Sequence, residues 1–161
     1  MPKSGYSIIE EMLNPDKTAK ARGKEIKVSH KAAREICKAV KGMNLSKSKE
    51  FLRDVMVKKK PVPYTRYIKK LGHKGGMQKR FVGRFPIKAA EKILHIIEAA
   101  QANAENKGLD VDRLSVMHAA AYQGIKLKRF MPRAHGRASP KFDTTTNVEI
   151  VLEEKPTQGE Q

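Results

Sequence analysis

Six basic side chains, Lys126, Lys128, Arg129, Arg133, Arg137 and Lys141, fall within a run of sixteen residues, KLKRFMPRAHGRASPK, that contains no acid. Cations gathered without a carboxylate to answer them suit the recognition of a polyanion. Arg133 and Arg137, four residues apart, offer planar forks that grip a phosphate in a bidentate way or stack on a base. His135 and Phe130 add ring faces to the same run. The run is too poor in apolar side chains to fold as a core, so its shape must come from what it binds, and structured RNA is the natural candidate.

A second acid-free run occupies residues 58–84 and carries ten basic residues, Lys74, Arg80 and Arg84 among them. Its glycines let the backbone come close to a phosphate ribbon. Tyr64, Tyr67 and Phe81 are interleaved, either to stack on exposed bases or to anchor the loop onto the body. A disordered charged insertion is the plainer alternative. Two separate acid-free patches favour a large RNA surface over a short duplex site.

Catalytic chemistry finds little support. The stretch GHKGG at residues 72–76 lacks the spacing of a phosphate-cradling nucleotide loop, and no nucleophile, base and orienting acid group together by motif. His30, His95 and His118 fall within helix or strand patterns, where structural or surface roles are expected. Asp110 and Asp112 resemble a carboxylate pair, but beside Gly108 they suit turn and cap chemistry. Cys37 stands alone, which excludes an internal disulfide and argues against a cysteine-based zinc site; it reads as a small buried apolar residue. No metal or cofactor is expected.

Over 161 residues, 34 Lys and Arg oppose 17 Asp and Glu, a formal charge of +17. Such an excess repels itself in the free protein and is relieved where phosphates supply the countercharge. A chain of this size buries roughly two thirds of its unfolded surface, enough for one core. No apolar run of membrane-spanning length and no secretory signal pattern is present, so a soluble intracellular protein with no membrane partner is expected.

The elements that must position the basic runs follow from periodicity. Residues 1 to about 20 read as a loosely attached lead-in, and Ile26 and Val28 alternate with Lys27 as in a short strand. Ser29 is placed to cap a helix through about Lys41 that Gly42 ends, with Ala33, Ile36, Cys37 and Val40 on one face. A second helix is expected after Ser46, with Phe51, Leu52, Val55 and Met56 as its stripe and Pro61 as its limit. In the third, Pro86 fits the first turn, Ala90, Ile93, Leu94, Ile97 and Ala104 form the stripe, and Gly108 closes it.

Beyond it, Leu114, Val116, His118, Ala120 and Tyr122 alternate with Ser115, Met117, Ala119 and Ala121, the period of a strand. In the return strand Phe142, Thr144, Thr146, Val148, Ile150 and Leu152 take one face, with Asp143, Thr145, Asn147 and Glu149 on the other. Paired, the two runs make a hairpin whose outer half, about a dozen extended residues at ~3.3 Å each, reaches ~35–40 Å. A lone two-stranded ribbon is marginal in water and is expected to be ordered by its partner. The fold class is α+β: three helices packed on a small antiparallel sheet, with a long β-hairpin arm extending from the body. A single domain is expected over 1–161, with 20–124 and 142–153 as globular body, 125–141 as the outer arm and 154–161 as a flexible tail.

The segments ANAENKGLDVD at 102–112 and KRFMPRAHGRA at 128–138, with the order strand, three helices, hairpin, resemble the universal large-subunit ribosomal protein L-twenty-two family. Arg129, the Pro132-Arg133-Ala134 step and the Gly136-Arg137-Ala138 step agree with the family pattern, and the resemblance covers about residues 18–153. The 58–84 loop departs from the shorter bacterial version and is similar to the archaeal and eukaryotic branch. The resemblance implies a structural ribosomal component without enzymatic activity, in the cytoplasm, which binds large-subunit rRNA and aids its assembly. It further implies a body near the tunnel exit and an arm whose tip lies in the wall of the nascent-peptide tunnel.

The expected RNA contacts are Lys126, Lys128, Arg129, Arg133, His135, Arg137 and Lys141 on the arm, and Lys74, Arg80 and Arg84 on the loop. Expected partners are large-subunit rRNA, neighbouring large-subunit ribosomal proteins and the nascent polypeptide near the tip, with no homo-oligomer. Two rivals differ in kind. A DNA-binding helix-turn-helix at 29–58 would carry its excess charge on a recognition helix, whereas here most of that charge lies outside the helices. An RNA-processing enzyme would need a clustered acid or histidine constellation.

Overall fold

The computed structural model describes residues 6–8, 13–75, 77 and 82–155. Three strands, β1 (Thr18–Ile26), β4 (Leu114–Leu127) and β7 (Asp143–Glu154), form an antiparallel sheet in the order β1-β7-β4. The last strand is thus the central one. Its Val148, Ile150 and Leu152 are buried against the helices, while Glu149 and Val151 are buried on the opposite face. A strand covered on both faces is the place for consecutive β-branched and apolar residues.

Helices α1 (His30–Val40), α2 (Leu45–Met56) and α3 (Ile87–Asn106) pack on one another and on the sheet, giving the α+β architecture expected from the pattern. The apolar stripes meet as anticipated: Ile36, Leu52, Ile93, Ile97, Leu114, Ile150 and Leu152 are among the largest fully buried side chains. Where α3 crosses β1 and α1 crosses β4, the strands present Ala19 and Ala21, and Ala119 and Ala121. Small residues there let the helices come close. Gly23 is the extreme case, since a Cβ on it would lie 2.7 Å from Ile96 Cδ1 of α3.

Several boundaries differ from expectation. β1 begins at Thr18, well before the Ile26–Val28 alternation, because small and cationic residues conceal a strand whose inward positions must be alanine. Leu13 and Thr18 are buried, so part of the lead-in is packed onto the body. α2 starts at Leu45 with Asn44 at its cap position, and Pro86 stands at the cap of α3, one place before its first turn. Ser29 occupies the cap position of α1 without a capping side-chain bond. Gly42 and Gly108 take φ of 86° and 75° at the ends of α1 and α3, the left-handed conformation that ends helices most cheaply at glycine.

The facing of β4 also needs correction. Val116 pairs with Leu152 and His118 with Val151, a bulge at Met117. One extra residue reverses the side-chain phase. Leu114 and Val116 therefore face the helices, whereas His118, Ala120 and Tyr122 register with the other face of β7. Glu149 lies on the face of β7 away from the helices, as its alternation implies, and is fully buried there.

Candidate nucleic-acid interface

The arm is the outer continuation of β4 and β7. Their ladder ends at the Leu127–Asp143 pair after a second bulge between Gln123 and Lys126. Beyond it β5 (Phe130–Pro132) and β6 (Ala138–Pro140) form a separate two-stranded ribbon. The expected continuous extension is therefore broken at Lys128 and Arg129. Across the break Lys141 N–H donates to Arg129 O at 2.7 Å, and the Phe130 and Phe142 rings meet edge to face at 5.8 Å. Residues 125–138 are all exposed, and Phe130, at 65%, keeps most of its ring in solvent.

At the tip, Arg133 N–H donates to Arg137 O at 2.8 Å, closing a turn in which His135 takes φ 57° and Gly136 φ 66°. A left-handed histidine costs roughly 1 kcal/mol against glycine. The turn sends the Arg133 and Arg137 side chains from neighbouring strand ends into solvent. Of the remaining arm cations, Lys126 Nζ sits 4.9 Å from the Phe142 ring centroid. Arg129 Nη2 lies 3.1 Å from Asp143 Oδ2, both side chains well exposed. An exposed pair of this kind contributes little and yields readily to a phosphate.

The second run is a held loop in its described parts. β2 (Val62–Pro63) pairs with β3 (Gly83–Arg84) at its base, and Val62 and Tyr64 are buried. Tyr67 is half-buried against the core. Both tyrosines anchor the loop. Glu35 of α1, itself 1% exposed, accepts the backbone N–H of Thr65 at 3.0 Å, of Arg66 at 2.9 Å and of Tyr67 at 3.3 Å, and the Thr65 hydroxyl at 3.0 Å. Burial alone would raise this carboxyl; the bonds from Arg66, Thr65 and Tyr67 outweigh it and hold the pKa below the ordinary glutamate value. Lys74 lies exposed with Nζ 5.9 Å from the Phe85 ring centroid, and Arg84 is exposed at the loop's return. Arg80 and Phe81 lie outside the described residues.

Other reactive side chains have structural partners. Cys37 is buried, and burial pushes its thiol up to about 12. Asp110 caps the short turn at Val111–Arg113 by accepting from Asp112 N–H at 3.1 Å. On the sheet face away from the helices, Ser7 donates to Glu149 through its N–H at 2.9 Å and its hydroxyl at 3.0 Å. Arg22 Nε stands 3.4 Å from the other carboxylate oxygen, and His118 Nε2 lies 3.1 Å from Ser7 Oγ. Here the serine, not the histidine, touches the carboxylate, so this group lacks the base–acid relay of a nucleophilic site. Among the described residues no helix is long and apolar enough to cross a membrane.

Sequence reasoning passed over Lys27 and Lys88. Both line a cleft of about 670 Å³ at the arm root, together with Arg129. A signal was available: α3 carries Lys88 in its first turn, α1 carries Lys31, and neither first turn holds an acid, against the preference set by the helix dipole.

The sequence model of the family described as Ribosomal protein L22p/L17e matches residues 21–153. The chain is similar to the large ribosomal subunit protein uL22 of Methanocaldococcus jannaschii, 47% identical over 154 residues that cover 96% of this chain and 97% of that one. The Methanopyrus kandleri protein of the same name is 47% identical over 159 residues, covering 96% and 100%. That of Archaeoglobus fulgidus is 41% identical over 153 residues, covering 95% and 99%.

Proposed function

Because the chain belongs to the ribosomal protein L22p/L17e family, a structural rather than enzymatic one, we propose that it is a constituent of the large ribosomal subunit that binds large-subunit rRNA and aids its assembly in the cytoplasm. The arm enters the RNA, and its tip forms part of the nascent-peptide tunnel wall. Tunnel placement, and with it contact to the nascent polypeptide and to neighbouring ribosomal proteins, is supported by the family likeness.

The observation that carries RNA binding is the exposure of residues 125–138 in a run where, among the described residues, the ion pair formed is that of Arg129 with Asp143. Arg129, Arg133 and Arg137 make the direct contacts. Lys126, Lys128 and Lys141 neutralise phosphates, His135 stacks, and Lys74, Arg80 and Arg84 serve the loop patch. Neutralising about six phosphates gives a slope of log affinity against log salt near −4 to −5, at ~0.7–0.9 per phosphate. Filter binding to large-subunit rRNA measures it, and a slope near −1 contradicts the reading. Co-sedimentation with large subunits through a high-salt wash tests subunit membership.

A further inference from the structure

We infer that arm and loop serve one continuous RNA strand, which crosses the body in a groove floored by Phe85 and Pro86 and seats an unstacked base there. The inference rests on the RNA-binding reading above and adds the path and the kind of RNA. Two clefts, of about 670 and 460 Å³, lie on either side of the Phe85–Pro86 step and share Ser29 and Ala32 with it. The first opens at the arm root between the starts of α1 and α3; the second is lined on the loop side by Tyr64, Tyr67, Lys69, Leu71 and Arg84. Both fall in the range that holds a small organic group such as a nucleobase.

The chemistry alternates along the groove as it does along a single strand. The floor is apolar: Phe85 and Pro86 are half-buried, and Ile87 and Leu127 remain 37% and 41% exposed. The rim is cationic, with Lys27, Lys88 and Arg129 around the first cleft and Lys31, Lys69 and Arg84 around the second. Among the described lining residues Asp143 is the one acid, and Arg129 already faces it. No first-turn acid offsets the positive end of α1 or α3 at the groove. Flat apolar surface for bases flanked by cations for phosphates is how single strands are held. A duplex keeps its bases stacked inside and has no use for the floor. Lys27, Lys31 and Lys88 lie between the arm cation Arg129 and the loop cations Lys69 and Arg84, and a cationic line that joins two basic patches calls for a polymer with regularly spaced negative charge.

The test uses the full chain reconstituted with large-subunit rRNA carrying 4-thiouridine. Near-ultraviolet crosslinking should attach a nucleotide to the peptide containing Phe85 and Lys88. The double variant Lys27→Ala/Lys88→Ala, both positions exposed, should lower the salt slope by about 1.4, two phosphates at ~0.7 each. Phe85→Leu should weaken binding roughly tenfold, with an unchanged melting temperature as its control. If Phe85→Leu unfolds, the lysine pair and the crosslink decide. Arg133→Ala/Arg137→Ala is measured in parallel. Loss at the tip with no effect from the groove variants and no groove crosslink overturns this inference alone. No loss at either place overturns the RNA-binding reading as well. Crosslinks in assembled subunits from the groove to another ribosomal protein, and none to nucleotides, also overturn it.

Discussion

The carboxylate of Glu35, in the middle of α1, accepts the backbone N–H of Arg66 at 2.9 Å. Through this bond, and those from Thr65 and Tyr67, a buried acid in the helical layer fixes the start of a loop that itself contains no acid. Unpaired, such a carboxylate would be costly to bury. The loop satisfies it with three main-chain donors and the Thr65 hydroxyl, the Arg34 guanidinium adds a contact at 3.2 Å, and the Arg66 side chain stays exposed over the Tyr67 ring.

Glu35→Gln should therefore destabilise the body by about 2 kcal/mol, since bonds donated to a buried ionised acceptor are replaced by weaker neutral ones. That corresponds to a fall in melting temperature of roughly 4–8 °C for a chain of this size. The folded-state pKa lies below the ordinary value, so the stabilisation is present above the usual carboxylate range and is lost as pH falls through the lowered pKa. Melting curves of both proteins should converge as pH falls through that lowered pKa; a gap that stays constant into acid would refute the role of the charge.

Gly124 sits at the β4 bulge where the arm leaves the body, and a Cβ on it would collide with Thr145 Oγ1, which is pinned by donating to Ile125 O at 3.2 Å. Gly124→Ala should cost about 1–3 kcal/mol through overpacking and loosen the arm root. Hydrogen exchange at Ile125 and Thr145, measured beside the melting temperature, reports both effects. Exchange as slow as in the parent would mean that the bulge absorbs the methyl group.

Joining Leu127 to Asp143 through a two-residue Asn-Gly turn closes the hairpin at an existing ladder pair and removes Lys128, Arg129, Arg133, Arg137 and Lys141. Because the excised segment is exposed, the melting temperature should move by less than about 3 °C, while the salt slope for rRNA binding falls by about half. A large drop in stability would show that the arm supports the fold rather than the contact.

Cys37 provides a clean reporter of core opening. With its thiol pushed up to about 12 by burial, thiolate at pH 8 is about 10³-fold or more scarcer than for a free cysteine. Labelling by a disulfide reagent should run at the rate of global unfolding and rise sharply in denaturant. Immediate stoichiometric labelling of the native protein would place the thiol at the surface.

How much of this was legible beforehand follows element by element. Helices announce themselves through a period that each carries internally, so Ala33, Ile36, Cys37 and Val40, or Ile93, Leu94 and Ile97, named their own buried faces. The two acid-free runs were equally plain, because charge segregation needs no knowledge of neighbours. β1 was hidden because its inward residues are alanines and a glycine chosen to admit α3. The facing of β4 beyond Val116 was misread because a bulge leaves no composition signal.

The amino-acid order alone determined which segments bury themselves and which stay cationic and open, since periodicity and net charge are properties of a segment taken by itself. Tertiary structure decided the rest. It set Glu35 under the Thr65–Tyr67 backbone, Glu149 between Ser7 and Arg22, and Lys27, Lys88 and Arg129 around one cleft. Those groupings join residues far apart in the chain, and their hydrogen bonds and fields depend on distances of a few ångströms that exist only once the helices have docked on the sheet.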